Sequence, residues 1–336
     1  MSSHNSFTLL TQLAANGVLL SFVSTATPAL AQPAITTFDP PGSTETDPAS
    51  ISNGAITGSY RDASNVAHGF VRAPDGTITA FDPAGSNGTF GNGINKKGAI
   101  AGSYQDASGV NHGFTRAANG TITAFDPPGS IRTIGNAIND KGAITGYYIA
   151  GSMFHGFVRA PDGTFTAFDP PGSAGTFAWA INSKGATTGQ YSDNVMVHGF
   201  VRAAGGTITA FDVAGSTATR AFAINKKGAI AGSYIDAGGI VSHGFVRAPD
   251  GTITTFDPPG SIYTVNNSIN NKGAIAGYYS AAGGVDHGFV RAADGTFTTI
   301  DPPGSVRTVA TSIGKGNAIA GTYLDGSQYH GFVRSR

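Results

Sequence analysis

The triplet His-Gly-Phe occurs seven times, beginning at His68, His112, His155, His198, His243, His287 and His330. The intervals are roughly 43 to 45 residues, a period in the range of four-stranded propeller blades. The passage around the first triplet, His68 to Ser86, returns with few changes along the chain. A chain written this way must fold as a stack or ring of equal units.

Four strands can be placed in one unit. In the third full copy they run at about Thr133 to Asn139, Ala143 to Tyr148, His155 to Arg159 and Thr164 to Asp169. The junctions carry turn chemistry: Asn139-Asp140-Lys141-Gly142 and Ala160-Pro161-Asp162-Gly163 supply a glycine for positive φ, and Pro161 sets φ at the start of the second turn. Asp169-Pro170-Pro171-Gly172-Ser173 cannot pair as a strand and makes the crossing to the next unit. Ile35 to Ser43 matches only the end of a unit, and His330 to Arg334 only an earlier part. The two fragments sum to one unit, which predicts an all-β, seven-bladed propeller, shut by the N-terminal strand completing the last blade. Residues 32–336 are therefore expected to form a single domain.

Composition agrees with many short strands. Charged residues make up only 12% of the 336 positions, and glycine occupies 49. Lysine plus arginine equals aspartate plus glutamate, 20 each, so no net field is available for a polyanion and nucleic acid is not an expected partner. Cysteine is absent, which excludes disulfides and thiolate metal sites. Residues 1–31 read as a secretory signal peptide: an apolar core from Leu9 is followed by Ala29-Leu30-Ala31, a small-x-small cleavage pattern before Gln32. The leader places the protein in the periplasm or outside the cell, with no membrane span in the mature chain.

The leader, the Ile-Asn-x-x-Gly-x-Ile-x-Gly-x-Tyr segment (Ile94 to Tyr104) and the His-x-Phe triplet resemble the HAF-type extracellular repeat family over essentially all of the mature chain. This chain has Gly inside the triplet where that family usually shows Ala, and Phe-Asp-Pro-Pro-Gly-Ser where a Leu-Gly-rich turn is more usual. The resemblance implies an exported repeat protein and no particular reaction.

Each of the first six triplet histidines is followed fourteen residues later by an aspartate: His68 with Asp82, His112 with Asp126, His155 with Asp169, His198 with Asp212, His243 with Asp257 and His287 with Asp301. Across an antiparallel hairpin closed by a three-residue loop the two face each other. Read one way, the pair is a dyad awaiting a nucleophile. Read the other, it is a structural clasp satisfying an imidazole N–H, and a pair repeated in every unit favours the clasp. His330 has no downstream aspartate, so its partner is expected to be Asp39.

An arginine ends each third strand, from Arg72 to Arg334, and is expected to bond turn carbonyls or a carboxylate while its stem covers the phenylalanine. No metal site, cofactor motif or catalytic set is expected; the chain has one glutamate, Glu45, and no closely spaced histidine pair or phosphate loop. What differs between units gathers where the crossings and the loops between second and third strands lie. Arg132, Tyr263 and Arg307 follow the crossings, Phe90, Phe177 and Arg220 come slightly later, and Trp179 and Phe222 replace Asn, Thr or Ala. Arg132, Trp179, Arg220, Phe222, Tyr263 and Arg307 are thus candidates for holding a carbohydrate, peptide or cell-surface protein. Trp179 and Phe222 equally suit filling gaps between inner strands. The sequence points to a non-catalytic binding or adhesion protein; the alternatives are a propeller hydrolase or lactonase with one site at the channel mouth, and a purely structural envelope component.

Overall fold

The computed structural model describes residues 34–335; the expected signal peptide lies outside them. The described chain is all-β, with a single three-residue 3-10 turn at Lys315–Asn317. Its unit is a four-stranded antiparallel meander. In the third copy the strands are Arg132–Ile138, Ile144–Ala150, Met153–Arg159 and Phe165–Phe168, within two residues of the expected positions at every end. The turn before the last strand forms because Thr164 bonds back across the loop, its amide meeting the Asp162 carboxylate and its carbonyl accepting from Ala160.

The unit made of Arg307–Ile313, Ile319–Leu324 and Tyr329–Arg334 takes its outer strand from the other end of the chain. Ile35–Phe38 lies antiparallel to Tyr329–Arg334, Ile35 opposite Arg334 and Phe38 opposite Gly331. Ser335 donates its amide to the Ala34 carbonyl at 2.9 Å. Inner strands also meet here: Thr322 Oγ1 donates to the Thr46 carbonyl, and Thr311 Oγ1 to that of Pro48.

Packing follows from the repeat. The triplet phenylalanines, Phe70 to Phe332, are fully buried, as are the isoleucines that open most second strands. Five triplet rings, those of Phe70, Phe114, Phe157, Phe200 and Phe245, meet an outer-strand ring of the preceding unit edge-on, as Phe114 meets Phe81 at 5.9 Å. The glycine of the triplet is required by its own unit: a Cβ on Gly69 would stand 2.5 Å from the Phe81 ring. Glycine inside the triplet and phenylalanine before the Asp-Pro turn are therefore one coupled choice.

Two edges result from the meander. One, the turn edge, holds the hairpins between first and second and between third and fourth strands; Gly54 and Pro74 of one unit touch there. The other, the crossing edge, holds the loops between second and third strands and the Asp-Pro crossings.

Candidate functional site

At the crossing edge every triplet histidine bonds an aspartate through Nδ1. The six pairs within units span 2.7 to 2.9 Å, from His68–Asp82 to His287–Asp301. His330 Nδ1 reaches Asp39 Oδ2 at 2.7 Å. A tyrosine of the second strand covers each ring, as Tyr191 covers His198 at 4.9 Å. Five of the rings face a second carboxylate through Nε2: Asp62, Asp106, Asp193, Asp236 and Asp325, at 3.2 to 3.8 Å. An imidazole donating from both nitrogens is a cation without a lone pair for a substrate proton, so this geometry suits a clasp. Four of the rings, His68, His112, His198 and His330, hold the proton more tightly than usual. At His68 the hydrogen bond to Asp82 leads; at His112, His198 and His330 burial opposes the charge, and the two carboxylates outweigh it.

The expected ligand-binding residues separate into two groups. Arg132 gives both Nε and Nη2 to Asn111 Oδ1, and Arg307 pairs with Asp286 at 2.7 Å while donating to Tyr329. Both guanidiniums are thus occupied by the preceding unit, and that of Arg307 also by Tyr329 of its own. Tyr263 lies against Tyr278, with centroids 6.4 Å apart. Arg220 stands half-buried on the strand Ala218–Ile224. Trp179 and Phe222 do come together, at 6.4 Å.

Trp179 belongs to a larger aromatic cluster. Phe177 stacks on it with an interplanar angle of 10°, and Tyr147 and Phe154 of the preceding unit pack edge-on or tilted against Phe177 at 5.0 and 4.8 Å. All five rings are half-buried. Tyr147 and Phe154 were not expected at a site. Tyr147 occupies a second-strand position that is Ser59, Ser103 or Ser233 in other copies, and that contrast was the available signal.

The inner strands explain why Trp179 and Phe222 stand where they do. Each inner strand carries a bulge at the same place. At four bulges the side chain donates to a carbonyl of the next unit: Asn92 to Gly135, Asn136 to Ala178, Asn267 to Ala310 and Thr311 to Pro48. Trp179 and Phe222 interrupt this lateral belt, and the Trp179 Nε1 proton has no partner in the protein. Asn266 compensates by reaching back to the Gly232 carbonyl at 2.7 Å.

One carboxylate on an inner strand escaped the sequence reading. Asp47 takes the position of Phe177, and its proton affinity is raised from 3.8 to about 6, by burial first and then by Glu45. Glu45 itself pairs with Arg61 at 3.1 Å.

The arginines that end the third strands do not pair with carboxylates. Six of them, from Arg72 to Arg291, lie over an outer-strand phenylalanine of the preceding unit at 4.5 to 5.1 Å. Arg72, Arg202, Arg247 and Arg291 also give Nη1 to the carbonyl of the following turn alanine at 3.4 Å, the expected bond, while the Nε atoms are shielded and unpartnered against the aromatic face.

At the turn edge, seven turns surround a cavity of about 740 Å³. An isoleucine from each inner strand, Ile51 to Ile313, lines it together with the following asparagines and lysines. Asn95, Asn139, Asn182 and Asn225 each donate Nδ2 to the carbonyl of the equivalent residue in the next turn at 3.1 Å, while Oδ1 holds the turn's own amides.

No family model matches the chain, and no curated protein matches it. Solved structures do. The propeller domain of the Trilobed protease from Pyrococcus furiosus, described as having an open velcro topology, aligns with a TM-score of 0.64 at 8% identity, covering 87% of this chain and 95% of that one. The fold is that of a β-propeller. A catalytically inactive virginiamycin B lyase from Staphylococcus aureus, solved with quinupristin, aligns at 0.62 with 15% identity, over 90% of this chain and 99% of that one. YCF48 with a bound peptide gives 0.57 at 10% identity, over 92% and 99%. At these identities the likeness to other propellers concerns the fold alone.

Proposed function

We propose that this propeller has seven blades closed by the strand Ile35–Phe38, that it is an exported protein of the HAF repeat type, and that it binds a peptide or carbohydrate without transforming it. The observation that carries the binding reading is the five-ring cluster of Tyr147, Phe154, Phe177, Trp179 and Phe222. Half-buried rings on consecutive units, two of them at the bulge position that other copies fill with Ala, Asn or Thr, gather apolar area and stacking faces in one place. Arg220, beside Phe222, supplies a donor fork for a carboxylate or hydroxyl pair. The peptide of YCF48 and the quinupristin of the lyase support a small or extended ligand on a propeller of this size.

Peptide and glycan arrays probed with residues 32–336 test this reading. Binding is expected to fall when Phe177 and Trp179 are both replaced by Ala, and undiminished binding by a folded double variant rejects the cluster as the site.

A second reading rests on Asp47, whose carboxyl is pushed up to about 6 by burial and by Glu45 beside it: a carboxyl that keeps its proton toward neutrality is equipment of a hydrolase. Turnover of a lactone or glycoside that disappears in Asp47→Asn supports the enzyme; turnover unaffected by that change does not.

A further inference from the structure

The zero net charge conceals a division. Among the described residues the turn edge holds all eight lysines and the seven arginines that end the third strands, against five carboxylates. The crossing edge holds fifteen carboxylates against four arginines. A sum of zero leaves no net field for a polyanion, yet alternate strand ends, separated by the meander, carry opposite signs.

The cationic edge converges on the cavity. Lys96, Lys226, Lys272 and Lys315 line it, and Asp140 is the sole carboxylate on its wall. Asp140 is already paired with Lys96 at 2.6 Å, which leaves three ammonium groups there without an opposing charge on the wall. The surrounding asparagines are committed to the turn-to-turn belt, so they add polarity and rigidity. The volume, about 740 Å³, lies within the range of about 300–1,000 Å³ usual for small-ligand sites. Lysines on flexible stems around a rigid rim suit several dispersed negative charges better than one flat carboxylate, which calls for arginine.

We infer that this cavity is a binding site for a compact polyanion, a small molecule bearing several phosphate or carboxylate groups, independent of the aromatic cluster toward the opposite edge. The geometry assigns Lys226, Lys272 and Lys315 as its primary contacts and Asp140 as the group that restrains Lys96.

Calorimetric titration of residues 32–336 at low ionic strength, with tripolyphosphate and citrate as separate probes, tests the assignment. Saturable binding of either one, weakened by added salt, is expected, and the better of the two identifies the anion chemistry. Replacing Lys226 and Lys315 together by Gln should weaken it about tenfold or more. Replacing Lys141 and Lys184, on the same edge and off the cavity wall, should change it less than about twofold. Asp140→Asn, which releases Lys96, should tighten it. Absence of binding by both probes, or equal losses from the two lysine pairs, overturns the site. So does binding of heparin or single-stranded DNA alone, since that marks a diffuse cationic surface. The four lysines are exposed and Asp140 is half-buried, and circular dichroism confirms that each variant remains folded.

Discussion

His330 Nδ1 lies 2.7 Å from Asp39 Oδ2, across 291 positions of the chain. Asp39 Oδ1 also accepts from Thr46 Oγ1 at 2.6 Å, so one carboxylate ties the last third strand to the first outer and inner strands. Asp39→Asn is expected to cost about 1–3 kcal/mol. Hydrogen exchange should quicken along Tyr329–Arg334 in that variant, whereas Asp126→Asn should leave that strand unchanged. Equal exchange in both would show that the seam is held by backbone pairing alone.

The clasps make stability depend on pH. His68, His112, His198 and His330 hold their protons above the ordinary value of 6.5. Stabilisation from a raised imidazole is complete below the unfolded value and is lost as pH climbs through the folded one. The denaturation midpoint should therefore decline on the alkaline side of 6.5, and Asp325→Asn should bring the His330 titration, followed by NMR, to lower pH. A midpoint that rises across this interval contradicts the doubly bonded rings.

Asp47 works in the opposite part of the scale. Its folded carboxyl keeps a proton up to about 6, against 3.8 ordinarily, so ionising it weakens the fold as pH rises between those values. Asp47→Asn should raise the melting temperature near neutrality and leave it unchanged at pH about 4. A gain of the same size at both pH values would assign the effect to something other than charge.

Thr187 is fully buried and its Oγ1 has no partner, at a position that is Ile56, Ile100, Ile144 or Ile230 in other units. Thr187→Ile removes an unsatisfied hydroxyl and adds apolar burial, and should stabilise by about 1–3 kcal/mol in urea denaturation. Loss of stability would mean that the fourth unit has closed around the smaller side chain.

Gly69→Ala places a methyl group against the Phe81 ring and Thr89, 2.5 and 2.9 Å from their nearest atoms. A cost of about 1–3 kcal/mol is expected. Adding Phe81→Leu should recover part of it, a non-additivity that a thermal double-mutant cycle measures. Additive losses would disconnect the two positions.

Strand order and the His–Asp clasps were legible because they depend on spacing within one unit, which periodicity exposes directly. Contacts between units were not. The turn carbonyls that receive Arg72 or Arg291 adjoin them in the chain, whereas the aromatic partner of Arg116 is Phe81, thirty-five positions earlier and one unit back. Tyr147 and Phe154 likewise join Trp179 from a different unit. Arg132 and Arg307 stood out as unlike their counterparts, but the difference is matched by Asn111 and Asp286 on neighbouring strands. Net charge misled because a sum discards position.

Gly69 and the ring that covers it belong to the same stretch of chain, a dozen positions apart. A gene segment duplicated whole delivers the hollow and its filling together, whereas a single codon change at either place delivers a misfit. The kinship among the seven copies is thus protected by the geometry itself: new members arrive most easily as complete replicas, and drift is confined to residues, such as Trp179, that no internal counterpart constrains.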